Sequence, residues 1–511
     1  MLFNSLEFIF IFLPILCVAL YLFKGSNKAM LSLLLFGSLA FYAYHSISNL
    51  LLMLTSILFN FFIGQHVTNN KKILSLAIAF NIGVIAYFKY SYFIAQNIHA
   101  LIPNTALTFH EIALPLGISF FTFQQIAYLV DTYQGNNPEK NIINYALLVS
   151  FFPHSIAGPL VQYKEIAPQF KKVGLSTENI VIGGTIFIIG LFKKIIIADG
   201  LAPCANAVFD AAANGLVPSF AESWFGAICY TLQLYFDFSG YSDMAIGLAK
   251  IFNISFPLNF DSPYKSTSII DFWRRWHITL SSFLKNYVYT PLGGNRKGTF
   301  MRHRNLMITM LIGGLWHGAS WTFVFWGGLH GFYLVVNHLW RDYCKKKKII
   351  FIEKKPYLAL CWCITMIAII LAWVVFRSKN FTVTTMMCKS MFGLYGVSIS
   401  PVLKGVIPEL SCFQFKGFFA NQLFDFWDYL PLMVSSTFVC LSLPNIKNFL
   451  RNYVQFNEGY PSSTIKIRKN TAVSLIWAPS KTYAVLMSIM TAWIMIALLS
   501  HRKVEFLYFN F

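Results

Sequence analysis

The stretch "LIGGLWHGASWTFVFWGG" at residues 311–328 decides the fold class, because a membrane-like composition surrounds one ionisable side chain, His317. No Asp, Glu, Lys or Arg occurs between Leu306 and Val336. About 30 helical residues would extend roughly 45 Å, which exceeds a hydrocarbon core of about 30 Å. We therefore expect the helix to break near the glycines at 313, 314 and 318. A break within a membrane places polar groups at an internal cavity.

The composition of the whole chain indicates a membrane protein. Hydrophobic residues make up 56% of the 511 residues and charged residues 12%, so the apolar surface exceeds what a water-soluble globule can bury. The net charge of +20 comes from Lys and Arg clusters between apolar runs. Such clusters are typical of loops beside anionic lipid, and they do not support nucleic-acid binding. We predict an all-α polytopic membrane protein with roughly ten to twelve transmembrane helices plus re-entrant and interfacial helices.

Apolar runs recur along nearly the whole chain, which predicts a single integral membrane domain at 1–511. The less hydrophobic stretches at 378–426 and 444–480 predict loops with short helices, because they carry too few apolar residues for cores of their own. The N-terminal "MLFNSLEFIFIFLPILCVALYLFKG" has no basic region and no small-residue cleavage site before Lys24. We therefore expect it to be a retained first span.

The segment at 264–298 has an amphipathic pattern that predicts a helix at the membrane face. At helical spacing Phe272, Trp276 and Leu280 line one side of it. Asp271 and Arg275 stand four residues apart and are expected to pair. The glycines and basic residues of "PLGGNRKG" should end this helix.

Three histidines, His277, His317 and His330, lie in apolar surroundings. Ionisable groups within spans are costly and usually functional, and histidine suits proton transfer near neutral pH. The structural alternative is a neutral imidazole bonded to a backbone carbonyl. Asp237, Asp243 and Tyr241 are open to a similar choice between polar lining and hydrogen bonding between helices.

Common motifs for other chemistries are missing from the sequence. It has no H-E-x-x-H metal motif, no G-x-S-x-G nucleophile motif and no Walker A motif. We expect no metal site and no bound cofactor. The residues alone leave two functions open, an acid/base catalyst or a proton-coupled transporter.

Several segments resemble the membrane-bound O-acyltransferase family, in its bacterial branch of alginate O-acetyltransferases and peptidoglycan O-acetylation membrane proteins. They are "LPLGISFFTFQQIAYLVDTYQG" (114–135), "FFPHSIAGPLVQY" (151–163), "GLFKKIIIADGLA" (190–202), "YFDFSGYSDMAIGLAKIFNISFPLNFDSPYKSTSIIDFWRRWHITLSSFLKNYVYTPLGGNRKG" (235–298) and "RNLMITMLIGGLWHGASWTFVFWGGLHG" (304–331). The resemblance implies a ring of helices around a central tunnel, with the catalytic core at residues 112–340. His154 departs from the pattern, because glutamine is more usual at that place.

The resemblance also implies roles for individual residues. The histidine of the W-H-G motif, His317, is expected to be catalytic, with His277 of the R-R-W-H motif as its companion. The tryptophan indoles near these motifs should form apolar walls that exclude water, and the arginines with one asparagine should bind the phosphates of the donor. These expected substrate-binding residues are Trp316, Trp273, Trp276, Arg274, Arg275, Asn295 and Arg296. For the arginines, a contact with solvent or lipid headgroups is the alternative.

The predicted function is transfer of an acetyl or similar short acyl group from a cytoplasmic thioester toward a cell-envelope polysaccharide. The donor is expected to be acetyl-CoA or a carrier-protein thioester. The acceptor is alginate-like, peptidoglycan-like or O-antigen-like, reached through an extracytoplasmic O-acetyltransferase partner. The predicted location is the bacterial inner membrane, in contact with membrane lipid. The alternative function is a proton-coupled transporter or flippase, whose histidines would shuttle protons.

Overall fold

The computed structural model describes residues 1–103, 112–349, 354–404, 406, 410–454, 456, 475–500 and 507. The α-helices in this part are α1 (Leu13–Leu22), α2 (Asn27–Ala43), α3 (Ile47–Gly64), α4 (Lys71–Ile85), α5 (Ser91–Leu101), α6 (Ile118–Tyr133), α7 (Ile142–Ser150), α8 (Tyr163–Ile166), α9 (Thr177–Phe192), α10 (Asp199–Ala213), α11 (Phe220–Ile251), α12 (Ile269–Arg275), α13 (Ile278–Leu284), α14 (Gly298–His317), α15 (Trp321–Lys346), α16 (Lys355–Arg377), α17 (Phe381–Met391), α18 (Phe426–Ser442), α19 (Ile446–Phe449) and α20 (Lys481–Leu499). Four π-helical turns interrupt or extend them, at Phe8–Phe12, Ala86–Tyr90, Lys193–Ala198 and Lys285–Tyr289.

Helices long and apolar enough to cross a membrane are present in the described residues, so the prediction of a helical multi-pass membrane protein is confirmed. Five segments qualify, namely Ile47–Gly64, Lys71–Leu101, Thr177–Ala213, Lys355–Arg377 and Lys481–Leu499. Two shorter apolar segments are Phe8–Leu22 and Asn27–Ala43. Length and composition identify fewer spans than the roughly ten to twelve expected. One reason is that the 32-residue α11 carries charged side chains within its length.

Helices α9 and α11 run antiparallel and touch through two pairs of glycines. A Cβ at Gly183 would lie 2.5 Å from the carbonyl oxygen of Gly247, and a Cβ at Gly247 would lie 2.5 Å from that of Gly183. Two helical turns further along α9, a Cβ at Gly190 would lie 2.6 Å from the carbonyl oxygen of Gly240. Small residues allow such close approach, which is the usual basis of helix packing in membranes. We call this contact the glycine seam.

The glycine seam is expected not to tolerate a methyl group. Gly247→Ala should destabilise the protein by about 1–3 kcal/mol, because the added carbon overlaps backbone that cannot move aside. The check is the thermal unfolding midpoint of the detergent-purified protein. Gly184→Ala is the matched control, since a Cβ at Gly184, the neighbour of Gly183, meets nothing within 4 Å. Equal midpoints for the two variants would contradict the tight contact.

Buried ion pairs fix the same helices beyond the seam. Lys193 lies 2.6 Å from Asp243, and Lys194 lies 2.7 Å from Asp199 and 2.5 Å from Asp237. Both lysines belong to the π-helical turn Lys193–Ala198, and both Asp237 and Asp243 belong to α11. Of the two interpretations of these aspartates, the structure therefore supports bonding between helices. Loss of one partner from such a pair leaves an uncompensated buried charge.

Helices α14, α15 and α16 share one strongly basic end. Arg302 at the start of α14 pairs with Asp342 of α15 at 2.7 Å, and Trp340 of α15 donates to the hydroxyl of Tyr357 in α16 at 2.8 Å. Basic residues cluster around this end, which we call the basic end; they are Arg296, Lys297, Arg302, Arg304, Arg341, Lys345, Lys346, Lys347, Lys348, Lys354 and Lys355.

The expected break in the charge-free stretch is present, and it lies directly after the histidine, at Gly318 and not at the paired glycines 313 and 314. Helix α14 ends at His317, and α15 begins at Trp321 after the extended Gly318. Gly314 remains helical, and its missing side chain allows α14 and α15 to touch. A Cβ there would lie 2.3 Å from the carbonyl oxygen of Phe323 in α15.

The segment at 264–298 is not one continuous helix, and that prediction is wrong. The chain breaks at Trp276 and His277 between α12 and α13, with His277 in the left-handed region at φ 44°. A non-glycine residue in this region is uncommon and is often found where function requires it. The expected pair of Asp271 and Arg275 is confirmed at 3.0 Å.

The stretch at 378–426 contains the expected short helix, α17, and also two strands that were not predicted. The strands β1 (Val397–Ser398) and β2 (Phe413–Gln414) pair in parallel, with Val397 opposite Phe413. Of the loop predicted at 444–480, the described part contains α19, and residues 455 and 457–474 lie outside the described residues.

Candidate active site

His317 is the last residue of α14, and its backbone is held from outside the helix. The last carbonyls of a helix lack intrahelical donors. Lys89 supplies them here, since its Nζ lies 2.5 Å from the carbonyl oxygen of Trp316 and 3.2 Å from that of His317. The Tyr90 hydroxyl donates to the carbonyl of Leu315 at 2.6 Å. A cation at a helix C-terminus also interacts favourably with the helix dipole.

The imidazole of His317 is enclosed by aromatic rings. Its centroid lies 4.9 Å from Trp316, 5.1 Å from Trp326 and 5.2 Å from Phe376, with steep interplanar angles of 74°, 86° and 79°. The residue is 7% exposed. Within the described residues its Nδ1 has no hydrogen-bond partner. One ring nitrogen is therefore available to a bound molecule.

His277 is completely buried and is oriented by Asn259. Its Nδ1 lies 3.1 Å from the amide oxygen of Asn259, which also accepts from the Thr279 hydroxyl at 2.9 Å. Because an amide oxygen only accepts, Nδ1 carries the proton and Nε2 presents a lone pair. No described residue bonds to that Nε2. Phe238 packs edge-on against the ring at 4.7 Å.

Trp316 joins the two predicted catalytic histidines. Its centroid lies 5.9 Å from that of His277 and 4.9 Å from that of His317. The indole is 3% exposed, and it stacks on Phe123 at 5.8 Å. The fold therefore brings together the histidines of two separate motifs around one indole. We call His277, Trp316 and His317 the histidine pair site.

The other two predicted tryptophans lie in the adjoining aromatic cluster. Trp273 donates its indole N–H to Nδ1 of His330 at 3.3 Å. Trp276 packs on Trp373 at 4.9 Å. His330 lies 4.8 Å from Trp326, which is also a neighbour of His317. The third histidine of the sequence therefore belongs to the wall of the site.

The predicted phosphate-binding residues are not gathered at the histidines. Arg275 is occupied by Asp271 and by the carbonyl of Asp261 at 3.2 Å. Arg274, Asn295 and Arg296 are exposed. None of the four predicted polar residues makes a hydrogen bond or ring contact with His277 or His317 in the described part of the chain.

Two residues at the site, Lys89 and Asn259, were missed by the sequence analysis. Lys89 is the single lysine inside the apolar run 73–93. A lone charge in a span is itself a functional signal, so it was available. Asn259 in "FPLNFDSPY" is 0% exposed, and no local pattern distinguishes it. His154, the unusual motif residue, is also buried and is bonded to the Gln124 amide at 3.2 Å.

Comparison with known proteins gives a consistent assignment. The sequence model of the membrane-bound O-acyltransferase family matches residues 66–387. A peptidoglycan O-acetyltransferase of Helicobacter pylori is 43% identical over 441 residues, covering 79% of this chain and 82% of the relative. A probable alginate O-acetylase of Pseudomonas putida is 35% identical over 524 residues, covering 100% of both chains. A teichoic acid D-alanyltransferase of Streptococcus thermophilus is 28% identical over 251 residues, covering 47% of this chain and 60% of the relative. The chain is therefore an acyltransferase that belongs to the membrane-bound O-acyltransferase family.

Proposed function

We propose that this protein transfers an acetyl group from a cytoplasmic thioester to a hydroxyl on the other side of the membrane, toward a cell-envelope polysaccharide. The observation that carries the proposal is the histidine pair site. Two buried imidazoles flank one indole, and each has a ring nitrogen without a partner in the described residues. The names of the relatives favour a polysaccharide acceptor of the peptidoglycan or alginate class.

The reaction needs one base and a dry site. His317 takes the proton of the acceptor hydroxyl as its oxygen attacks the thioester carbonyl. The C–O bond forms, the C–S bond breaks, and the proton passes from His317 to the departing thiolate. His277, through its Nε2, orients the acceptor or His317. The surrounding aromatic rings exclude water that would otherwise hydrolyse the donor.

The donor approaches from the basic end in this proposal. Short basic loops mark the cytoplasmic face of a membrane protein, so the basic end of α14, α15 and α16 faces the cytoplasm of a bacterial inner membrane. The donor is acetyl-CoA or a carrier-protein thioester, and the exposed Arg296 of the basic end, beside Asn295, can meet its phosphates. The acetyl group then reaches the polysaccharide through an extracytoplasmic O-acetyltransferase partner.

The test uses purified protein in liposomes with labelled acetyl-CoA and envelope oligosaccharide. We expect acetylated saccharide and thioester turnover, both dependent on His317. The competing function, a proton-coupled transporter or flippase, predicts no acetyl turnover and a proton flux that follows substrate movement. That result, together with normal polysaccharide acetylation in cells carrying His317→Ala, would refute the proposed acetyl transfer.

The contact between Asn259 and His277 predicts a moderate loss of activity. Asn259→Leu should lower acetyl transfer about fivefold, since one orienting hydrogen bond is worth roughly 1 kcal/mol and the tautomer of His277 is no longer fixed. The turnover number of the purified variant measures this effect. Asn179→Leu is the control, because the Asn179 side chain donates to the remote Asn253 at 3.0 Å. An unchanged rate in Asn259→Leu would exclude a role for the His277 tautomer.

A further inference from the structure

Two buried ring nitrogens close to His317 have no hydrogen-bond partner in the described part of the chain. They are Nε1 of Trp326 and Nε2 of His330. Trp326 is 1% exposed and His330 is 0% exposed. Both residues belong to α15 and stand four positions apart, so their side chains share one face of the helix. Their ring centroids are 4.8 Å apart, and the Trp326 ring lies 5.1 Å from that of His317.

Trp273 of α12 determines which nitrogen of His330 carries the proton. Its indole Nε1 lies 3.3 Å from Nδ1 of His330. An indole nitrogen only donates, so Nδ1 accepts, and the neutral imidazole carries its one proton on Nε2. His330 is thus a donor at Nε2, whereas His277 presents a lone pair at the same ring position because its Nδ1 bonds the Asn259 oxygen.

The indole N–H of Trp326 differs from those of the tryptophans that pack on it. Trp273 donates to His330, and Trp373, which stacks on Trp326 at 5.8 Å, donates to the Tyr264 hydroxyl at 3.1 Å. A buried indole usually finds such an acceptor. A buried donor without one loses its hydration with no return, and such a group calls for a functional explanation. An oxygen of a bound reactant would supply the acceptor.

The surroundings of the two N–H groups favour a negative oxygen. Aromatic rings enclose Trp326, and a surrounding of low polarity strengthens a hydrogen bond to a charged acceptor. The Lys89 ammonium, which bonds the carbonyls of Trp316 and His317, adds a positive potential in the same region. Donors fixed in advance by packing need no reorganisation when charge develops.

Acyl transfer creates such an oxygen at the step in which His317 takes the proton. The acceptor oxygen bonds to the thioester carbonyl carbon, and the π electron pair of the carbonyl moves onto its oxygen. The resulting oxyanion then re-forms the C=O bond and expels the thiolate, which receives the proton from His317. His317 accounts for the proton in this sequence, and the negative oxygen needs hydrogen-bond donors of its own.

We propose that Nε1–H of Trp326 and Nε2–H of His330 form the oxyanion hole of this transfer. The inference rests on the proposed function for the reaction and adds two catalytic residues to it. The carbonyl oxygen of the donor faces α15, and both N–H groups keep their protons throughout. Trp273 is a positioning residue, because it acts through the tautomer of His330.

The first test removes the indole N–H and keeps an aromatic ring. Trp326→Phe should lower the turnover number about 10²-fold, the cost of losing one oxyanion donor. The KM for acetyl-CoA should change less than about threefold, because the neutral carbonyl of the ground state gains less from the bond than the oxyanion does. Trp224→Phe is the matched control, since Trp224 donates to the carbonyl of Met391 at 2.9 Å at the start of α11; it should keep the full rate.

The second test compares two replacements of His330. Glutamine can accept from Trp273 with its amide oxygen and donate with its amide nitrogen, whereas leucine can do neither. We expect His330→Leu to lose about 10²-fold in turnover and His330→Gln to stay within about tenfold of the unmodified protein. Size-exclusion chromatography verifies that each variant is folded. Equal losses in the two folded variants would overturn the role of His330 as a donor.

The third test measures binding without turnover. A trifluoromethyl ketone analogue of acetyl-CoA forms a tetrahedral hydrate that resembles the oxyanion, and S-ethyl-CoA has no oxygen at that position. Trp326→Phe should weaken binding of the ketone about tenfold and leave binding of S-ethyl-CoA unchanged, because only the ketone meets the N–H. Equal weakening of both would show that the indole only shapes the pocket, and would overturn the proposal.

The outcomes separate this inference from the proposed function. Absence of acetyl transfer in the unmodified protein would refute the proposed function. Normal turnover of acetyl groups in a folded Trp326→Phe protein, with transfer still dependent on His317, would refute the oxyanion hole and leave the proposed function intact.

Discussion

Replacing His317 with alanine is expected to reduce acetyl transfer by about 10²- to 10⁴-fold, the contribution of a positioned general base. The imidazole is buried among three aromatic rings, and its removal leaves an apolar gap without a new charge. The protein should therefore still fold. The measurement is single-turnover transfer of labelled acetyl groups by the purified variant, together with its elution profile in size-exclusion chromatography.

The control for this experiment is a histidine that lies outside the site. His99 is exposed near the end of α5, and His99→Ala should keep the full rate. If a well-folded His317→Ala protein transfers acetyl groups within threefold of the unmodified enzyme, His317 is not the base. His277→Ala then becomes the decisive variant, because His277 is the other imidazole of the histidine pair site and its Nε2 has no partner among the described residues.

Lys89→Met is expected to lower the turnover number about 100-fold while changing the KM for either substrate little. The ammonium bonds the carbonyls of Trp316 and His317, so its loss releases the end of α14. A displacement of about 1 Å at a reacting group can cost 10²-fold in rate. Steady-state kinetics of the purified variant in liposomes gives both constants.

A conservative variant keeps this prediction testable if Lys89→Met does not fold. Lys89→Arg retains a cation with several donors, and it should restore most of the turnover. Lys71→Met, at the exposed start of the same apolar segment, is the control and should behave as the unmodified protein. If Lys89→Met folds and keeps full activity, the cap on α14 has no part in positioning His317.

The sequence predicted the helical membrane class, the break in the charge-free stretch and the two histidines that meet at Trp316. Composition and segment length were enough to predict the helical membrane class and the break, because a membrane limits helix length and penalises charge. Motif resemblance carried the histidines. These features are local in the chain, which is why one sequence was sufficient to find them.

The residues that the sequence did not reveal depend on contacts between distant segments. Lys89 meets α14 only in the folded protein, and Asn259 is defined as functional by its bond to His277. The left-handed conformation of His277 interrupts an amphipathic pattern that continues through it. Helical periodicity does not report such a break, since the apolar side chains keep their spacing on both sides.

The cap on α14 has a consequence for the order in which the protein is made. Lys89 and Trp316 are 227 residues apart in the chain, so the ribosome completes the segment of Lys89 long before α14 exists. During that interval the Lys89 ammonium lacks the carbonyl oxygens of α14 that accept its hydrogen bonds in the folded protein. When α14 inserts, it supplies these carbonyl oxygens and also brings His317 to the site. A nascent or truncated chain that lacks α14 therefore carries a lysine in a span without these acceptors, which is energetically costly.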